Sequence, residues 1–243
     1  MRRRRSRTGK AEVSGLRWTL VVPLKPPQEG KSRLSWWLAP GPRMSLVRAM
    51  TADTVAAAAA AERVDRIVVV TSDADTVRRV REAAVGAAVD VVHEPQPPDL
   101  NRAVRAGIDH ARSLDPTHGV GVLLGDLPAL HATDVDEALA VAAAHPLGVV
   151  TDATGAGTTL LTALPGVPVH PAFGAGSAQA HLDRGHVRIA LAPGSGLGHD
   201  VDVPDDLPAV IALGVGDRTR RVLRVVGSLA RPRRTDRPGP LGR

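Results

Sequence analysis

The sequence predicts one α/β domain built on a mostly parallel β-sheet with helices on both faces. Three observations lead there. Short runs of Val, Ile and Leu alternate with longer segments of helical spacing. The chain has 243 residues, which suits a single large α/β unit. Polar residues gather directly after the apolar runs, where an open parallel sheet binds its ligands.

Taken in order, Arg17–Leu24 is an apolar run that reads as a buried first strand. A loop with Pro26, Pro27 and Gly30 follows. Leu46–Ala61 is alanine-rich and spaced as a helix. Arg66–Thr71 is a second buried strand of β-branched residues. Asp73–Val85 reads as a helix and Val89–His93 as a third strand. Asp99 is placed to cap a helix over Leu100–Ser113. Gly119–Leu124 reads as a fourth strand and Thr133–Ala144 as a helix. The second half is less regular. Strands are expected at Gly148–Asp152, Thr158–Ala163 and Val187–Ala192. A short helix should follow Phe173–Ser177, another should run over Asp205–Leu213 after Pro204, and a last one over Asp217–Leu229.

Composition narrows the function. With no cysteine there is no disulfide framework, thiolate metal site or cysteine nucleophile. Aromatics are limited to Trp18, Trp36, Trp37 and Phe173, so Ala, Val, Leu and Ile must build the core. No apolar run approaches the ~20 residues of a membrane span. Trp18–Leu24 is too short for a signal-peptide core, and a cytoplasmic protein without a membrane partner is expected. The net charge of +6 suggests a nucleic-acid binder until its distribution is considered. Residues 1–17 carry +6 and residues 218–243 carry +8, whereas residues 18–217 carry −8. The expected organisation is a disordered basic tail at 1–17, a catalytic domain at 18–226 and a basic tail at 227–243. Nucleic-acid binding through the arginine-rich tails is the competing reading. The acidic body and the scarcity of stacking side chains count against it.

Four polar features fall at predicted strand ends: Lys25 to Arg33, Thr71 to Asp73, Asp126, and His199 to Asp202. Lys25, Lys31 and Arg33 put three cations in one loop, enough to clamp a triphosphate, although the spacing is not that of a P-loop. Asp126 ends an apolar strand, where an unpaired carboxylate is costly and a hard cation such as Mg²⁺ is a natural partner. Asp200 and Asp202 share a face in an extended stretch, and a dication relieves their repulsion. Phe173-Gly-Ala-Gly-Ser177 leads into a helix, an arrangement suited to an anion. The histidines form no cluster that suggests a triad or zinc.

The pieces Val22-Pro-Leu-Lys25, Gly30-Lys-Ser-Arg-Leu34, Leu100-Asn-x-Ala103, Leu124-Gly-Asp-Leu-Pro128, Phe173-Gly-x-Gly-Ser177 and His199-Asp-Val-Asp-x-Pro204 occur in this order. Together they resemble the phosphoenolpyruvate / 2-phospho-L-lactate guanylyltransferases of coenzyme F420 biosynthesis, over roughly residues 18–226. Gln28-Glu29 before Gly30 is a small departure from that pattern. The resemblance implies a Rossmann-like, GT-A-like nucleotidyltransferase that uses GTP and a small phosphorylated acid. It implies metal binding by Asp126, Asp200 and Asp202, and acid binding by Thr159, Gly174 and Ser177. Leu24, Lys25, Lys31, Ser32, Asp73 and Asn101 are expected on the nucleotide side, with Lys25, Lys31, Arg33 and Asp126 serving catalysis. Another nucleotidyltransferase of this fold, acting on a molybdopterin or sugar phosphate, is the nearest alternative.

Overall fold

A computed structural model describes residues 15–28 and 30–229. Most of the two basic tails lies outside the described residues. The β-branched runs form β1 (Trp18–Pro23), β2 (Val64–Val70), β3 (Ala88–Val92) and β4 (Gly119–Leu123). β5 (Leu147–Thr151), β6 (Thr158–Ala163) and the short β7 (Val187–Arg188) complete the sheet. The strand order is β3-β2-β1-β4-β6-β5-β7. β1 pairs in parallel with β2 and β4, β2 with β3, and β5 with β7, while β6 runs antiparallel between β4 and β5. The sheet is therefore mostly parallel, as expected.

Alternation along the strands divides the core in two. Trp18, Leu20, Val22, Ile67 and Val69 face one layer of helices. That layer contains α1 (Pro40–Ala60), α2 (Ala74–Ala83) and α4 (Ala132–Ala142). Val21, Val68 and Val70 face the opposite way, onto Ala103, Val104, Ile108 and Ala111 of α3 (Leu100–Leu114). The near absence of aromatics is met by small side chains that let helices approach the sheet closely.

Several boundaries differ from the sequence expectation, and three of the differences bear on the site and its supports. α1 begins at Pro40, six residues before Leu46, because Pro40 and Pro42 sit in the first helical turn, where the missing N–H is no loss. β7 stops at Arg188 instead of Ala192. Ile189 still donates to Val149 O at 2.8 Å, but the chain then turns at Ala192–Ser195 through Pro193 and Gly194. The helix expected at Asp205 starts as a 3-10 turn over Pro204–Asp206 and becomes α6 only at Leu207–Leu213. A short α5 spans Ser177–Leu182 and the last helix, α7, spans Asp217–Leu229.

A third, smaller apolar cluster joins the elements that surround the strand ends. It contains Leu34, Leu38, Leu46, Met50, Ala129, Val201, Leu207, Val210, Val215 and Val226. α7 is fastened to it from α1. The buried Asp53 carboxylate accepts from Thr219 N at 2.7 Å and from Arg218 N and Nη1 at 3.3 Å, as a helix cap supplied by another helix. Asp53→Ala should lower unfolding stability by about 2–3 kcal/mol, because a charge-assisted acceptor is lost and the Thr219 amide stays buried. Urea unfolding measures this, and a loss below about 0.5 kcal/mol, the range of an ordinary surface change, would show that α7 docks without the cap.

Candidate active site

The carboxyl ends of β1, β2 and β4 and the amino end of β6 converge at one edge of the sheet. Backbone hydrogen bonds continue past the strands there: Leu24 N to Val70 O at 2.9 Å, Thr71 N to Val92 O at 3.1 Å, and Leu124 N to Thr159 O at 3.0 Å. Asp126 follows β4 after Gly125. Its position is fixed from both sides, since Leu127 N donates to the buried Thr54 Oγ1 at 3.1 Å and Val201 N donates to Asp126 O at 3.2 Å. The second bond lays the His199–Asp202 stretch against Asp126. With Val201 pointing into the small cluster, Asp200 and Asp202 turn to the same side. Gly196 permits the approach: a Cβ there would stand 2.0 Å from Ala129 O.

Asp126, Asp200 and Asp202 thereby offer one oxygen each within 4.8 Å of one another, all half-buried. They are the His, Asp or Glu group of metal-binding spacing found among the described residues. Burial, with repulsion from Asp126 and Asp202, pushes the Asp200 carboxyl up to about 6 against the opposing pull of Lys31. Asp126 Oδ1 is buried without a hydrogen-bond partner. An all-oxygen set with an orphaned carboxylate oxygen fits a hard divalent cation.

Lys31 enters this cluster. Its Nζ donates to Asp126 Oδ2 and Asp202 Oδ1. Burial works against its charge, but the two carboxylates outweigh burial and hold the ammonium well above the ordinary lysine range. Arg33 is exposed and approaches Asp202 only at 4.0 Å. Lys25 is exposed beside the buried Leu24, and Ser32 is exposed in the 3-10 turn Ser32–Leu34. Asp73 caps α2, accepting from Thr76 N at 2.9 Å and Thr76 Oγ1 at 2.6 Å.

The Phe173–Ser177 loop lies on the other side of β4. Asn101 clamps it: Nδ2 donates to Phe173 O at 2.9 Å and Phe173 N donates to Oδ1 at 2.7 Å. The Asn101 amide is thus engaged with the loop expected to hold the acid. Ser177 is buried and its N–H, expected as an anion donor, donates to Gly174 O at 3.1 Å. Gly174 has φ +139 with open space around a Cβ position, so its backbone conformation, more than crowding, excludes other residues. Thr159 Oγ1 is buried without a partner.

Sequence reasoning missed the supports of this site. Arg43 donates to Gly30 O at 2.9 Å and Gln28 O at 3.2 Å, holding the first loop. Asp206 accepts from Asp202 N at 2.7 Å and Val203 N at 2.8 Å. His181 accepts from Ala172 N at Nε2 and faces Thr158 Oγ1 through Nδ1, both at 2.9 Å. The Asp206 contacts are local, three and four residues back at a helix start, whereas those of Arg43 and His181 reach further along the chain and have no local sequence signature.

The fold and its acidic cluster suit a nucleotidyltransferase. The fold is shared with a solved structure from Desulfovibrio desulfuricans G20 described as a nucleotide-diphospho-sugar transferase, at TM-score 0.65 and 17% identity over 87% of this chain and 96% of that one. It is shared also with a 4-diphosphocytidyl-2C-methyl-D-erythritol synthase from Anaerococcus prevotii, at TM-score 0.53 and 11% identity over 82% and 96% of the two chains. The chain belongs to the family of CofC-like guanylyl transferases, whose profile matches residues 18–238. A phosphoenolpyruvate guanylyltransferase of Sanguibacter keddieii is 48% identical over 238 residues, covering 85% of this chain and 84% of that protein. One from Streptosporangium roseum is 42% identical over 224 residues, covering 91% and 97%.

His181 gives the region a pH signature. Burial, then the neighbouring His186 and Arg184, lowers its pKa from 6.5 to about 4. The fold thus holds the neutral ring, and the unfolded chain takes up the proton first as pH falls. Stability should be constant in this respect above pH 6.5 and should decline from there toward pH 4. His181→Gln should flatten that decline in urea titrations; an unchanged slope would show that His181 does not carry it.

Proposed function

We propose that this protein transfers GMP from GTP to phosphoenolpyruvate and releases pyrophosphate. The observation that carries the reading is the Asp126, Asp200 and Asp202 cluster with Lys31 at the strand ends, in a member of the CofC-like family. The relatives at 42–48% identity that are named phosphoenolpyruvate guanylyltransferases support the choice of acceptor.

The acceptor is an ionised phosphate with a second pKa of roughly 6, so no general base is required at neutral pH. The difficulty is bringing two polyanions into line. Asp126, Asp200 and Asp202 would hold a divalent metal, for which the all-oxygen set favours Mg²⁺, and it would supply charge neutralisation to the phosphates. Lys25, Lys31 and Arg33 present cations from the first loop toward the triphosphate, and Leu24 and Ser32 line its path. Asp73 and Asn101 complete the nucleotide-side set implied by the family resemblance, and the Asn101 side chain also clamps the loop that begins at Phe173. Thr159, Gly174 and Ser177 form the acid side. The orphaned Thr159 hydroxyl supports this, as do the amides of the exposed residues Gly174, Ala175 and Gly176, which form no hydrogen bond among the described residues. Catalysis is then positioning and electrostatics, with no covalent intermediate.

The test is pyrophosphate release from GTP and Mg²⁺ with phosphoenolpyruvate or 2-phospho-L-lactate, each alone. Phosphoenolpyruvate should support turnover. Asp126→Asn and Asp202→Asn should each lower kcat by at least about a hundredfold while the melting temperature is kept. Failure of both acids to release pyrophosphate, or near wild-type turnover in either variant, would reject the reading.

A further inference from the structure

We propose that Lys31 is a tethered counter-ion of the carboxylate cluster, which competes with the divalent cation for the same oxygens and gives them up as that cation binds. This rests on the reading of Asp126, Asp200 and Asp202 as a metal site. The contact is direct. Lys31 Nζ donates to one oxygen of Asp126 and one of Asp202, and the cluster that would ligate a metal includes both residues. A monovalent and a divalent cation placed on the same two carboxylates repel each other.

The backbone is shaped for this contact. Lys31 has φ +52, and it is the non-glycine residue with positive φ among those described. A left-handed conformation at a residue with a Cβ persists only where its surroundings impose it. Here they do: Arg43 holds the carbonyls of Gln28 and Gly30, Leu34 N donates to Lys31 O at 2.9 Å, and Leu34 is fully buried in the small cluster. The loop is thus anchored on both sides of Lys31, while the side chain keeps its four-carbon reach.

The choice of residue fits as well. The chain contains 28 arginines and three lysines, Lys10, Lys25 and Lys31. A sequence so biased toward arginine keeps lysine in this loop. An ammonium is a compact point charge with rotatable donors, so it can sit between two separately oriented carboxylates and swing away. A planar guanidinium matches one carboxylate and releases it less readily. Displaced by the dication, the Lys31 ammonium is free to meet the phosphates of the incoming nucleotide. Metal and nucleotide should therefore bind with positive coupling that passes through one side chain.

Two measurements test this, both with Mn²⁺ as the probe and no substrate present. In the wild-type protein, amine-selective acetylation read by peptide mass spectrometry should find Lys31 protected and Lys25 reactive. Saturating Mn²⁺ should speed Lys31 labelling several-fold and leave Lys25 unchanged. In titrations followed by electron paramagnetic resonance, Lys31→Met should bind Mn²⁺ on the order of tenfold more tightly than wild type, since the competing charge is gone. Asp126→Asn should bind it more weakly. If Lys31 labelling is unmoved or slowed by Mn²⁺, or if Lys31→Met binds Mn²⁺ no better than wild type while Asp126→Asn has lost it, the counter-ion role is overturned and the metal site stands. If Asp126→Asn binds Mn²⁺ as wild type does, the metal site itself is overturned.

Discussion

Three carboxylates held within 4.8 Å of one another repel, and much of this chain is arranged to keep Asp126, Asp200 and Asp202 together. The arrangement is made by the backbone. One hydrogen bond, Val201 N to Asp126 O, fixes the two acidic segments side by side. Thr54 holds the peptide after Asp126 and Asp206 holds the peptides at Asp202 and Val203. Gly196 brings the second segment close enough to reach. Among the described residues the Lys31 ammonium donates to two of these carboxylates and Arg33 approaches Asp202 at 4.0 Å, and the loop that carries both is held by Arg43.

The small apolar cluster turns these local devices into one unit. Leu34 lies three residues after Lys31, Ala129 three after Asp126, and Val201 between Asp200 and Asp202. All are buried against α1, α6 and α7. The first loop, the β4 exit and the acidic stretch therefore share a core separate from the two that flank the sheet. This explains why α7 is tied down by a buried aspartate of α1 and is not merely laid on the surface. The loop proposed for the acid belongs to a different neighbourhood, with Phe173 packed in the α3 layer and clamped by Asn101. Two ligand sides resting on two cores suit a reaction in which two anions must be positioned independently and then brought into contact.

Much of this was legible in the sequence because the signals are local. The continuous β-branched run of β2, buried from Ile67 to Val70, and the Asp99 cap of α3 are set by neighbours along the chain, and both appear as expected. Asp126 was legible because it follows a strand-like run and strand ends converge in a parallel sheet, and Asp200 and Asp202 because alternation in an extended stretch puts them on one face. What was not legible depends on distant partners. Nothing near Lys31 says that it meets Asp202, 171 residues away, and nothing near Asn101 says that it clamps Phe173. The prolines before Arg43 read as a loop because their place in a first helical turn shows only once the helix is seen. Nothing near Ser177, expected at the acid, says that its amide closes onto Gly174. The distribution of charge also proved more informative than its total: the body that holds the site is acidic, and the excess of arginine lies largely at the ends.

The central claim is that Asp126, Asp200 and Asp202 are the ligands of one catalytic metal centre. Anomalous diffraction from crystals grown with Mn²⁺ and a GTP analogue whose α–β bridge cannot be cleaved tests it most directly. The account predicts an anomalous peak bonded to oxygens of all three carboxylates and to a nucleotide phosphate, with Lys31 Nζ moved off Asp126 and Asp202. A fully bound nucleotide with the metal peak elsewhere, and Lys31 still joined to both aspartates, would contradict it.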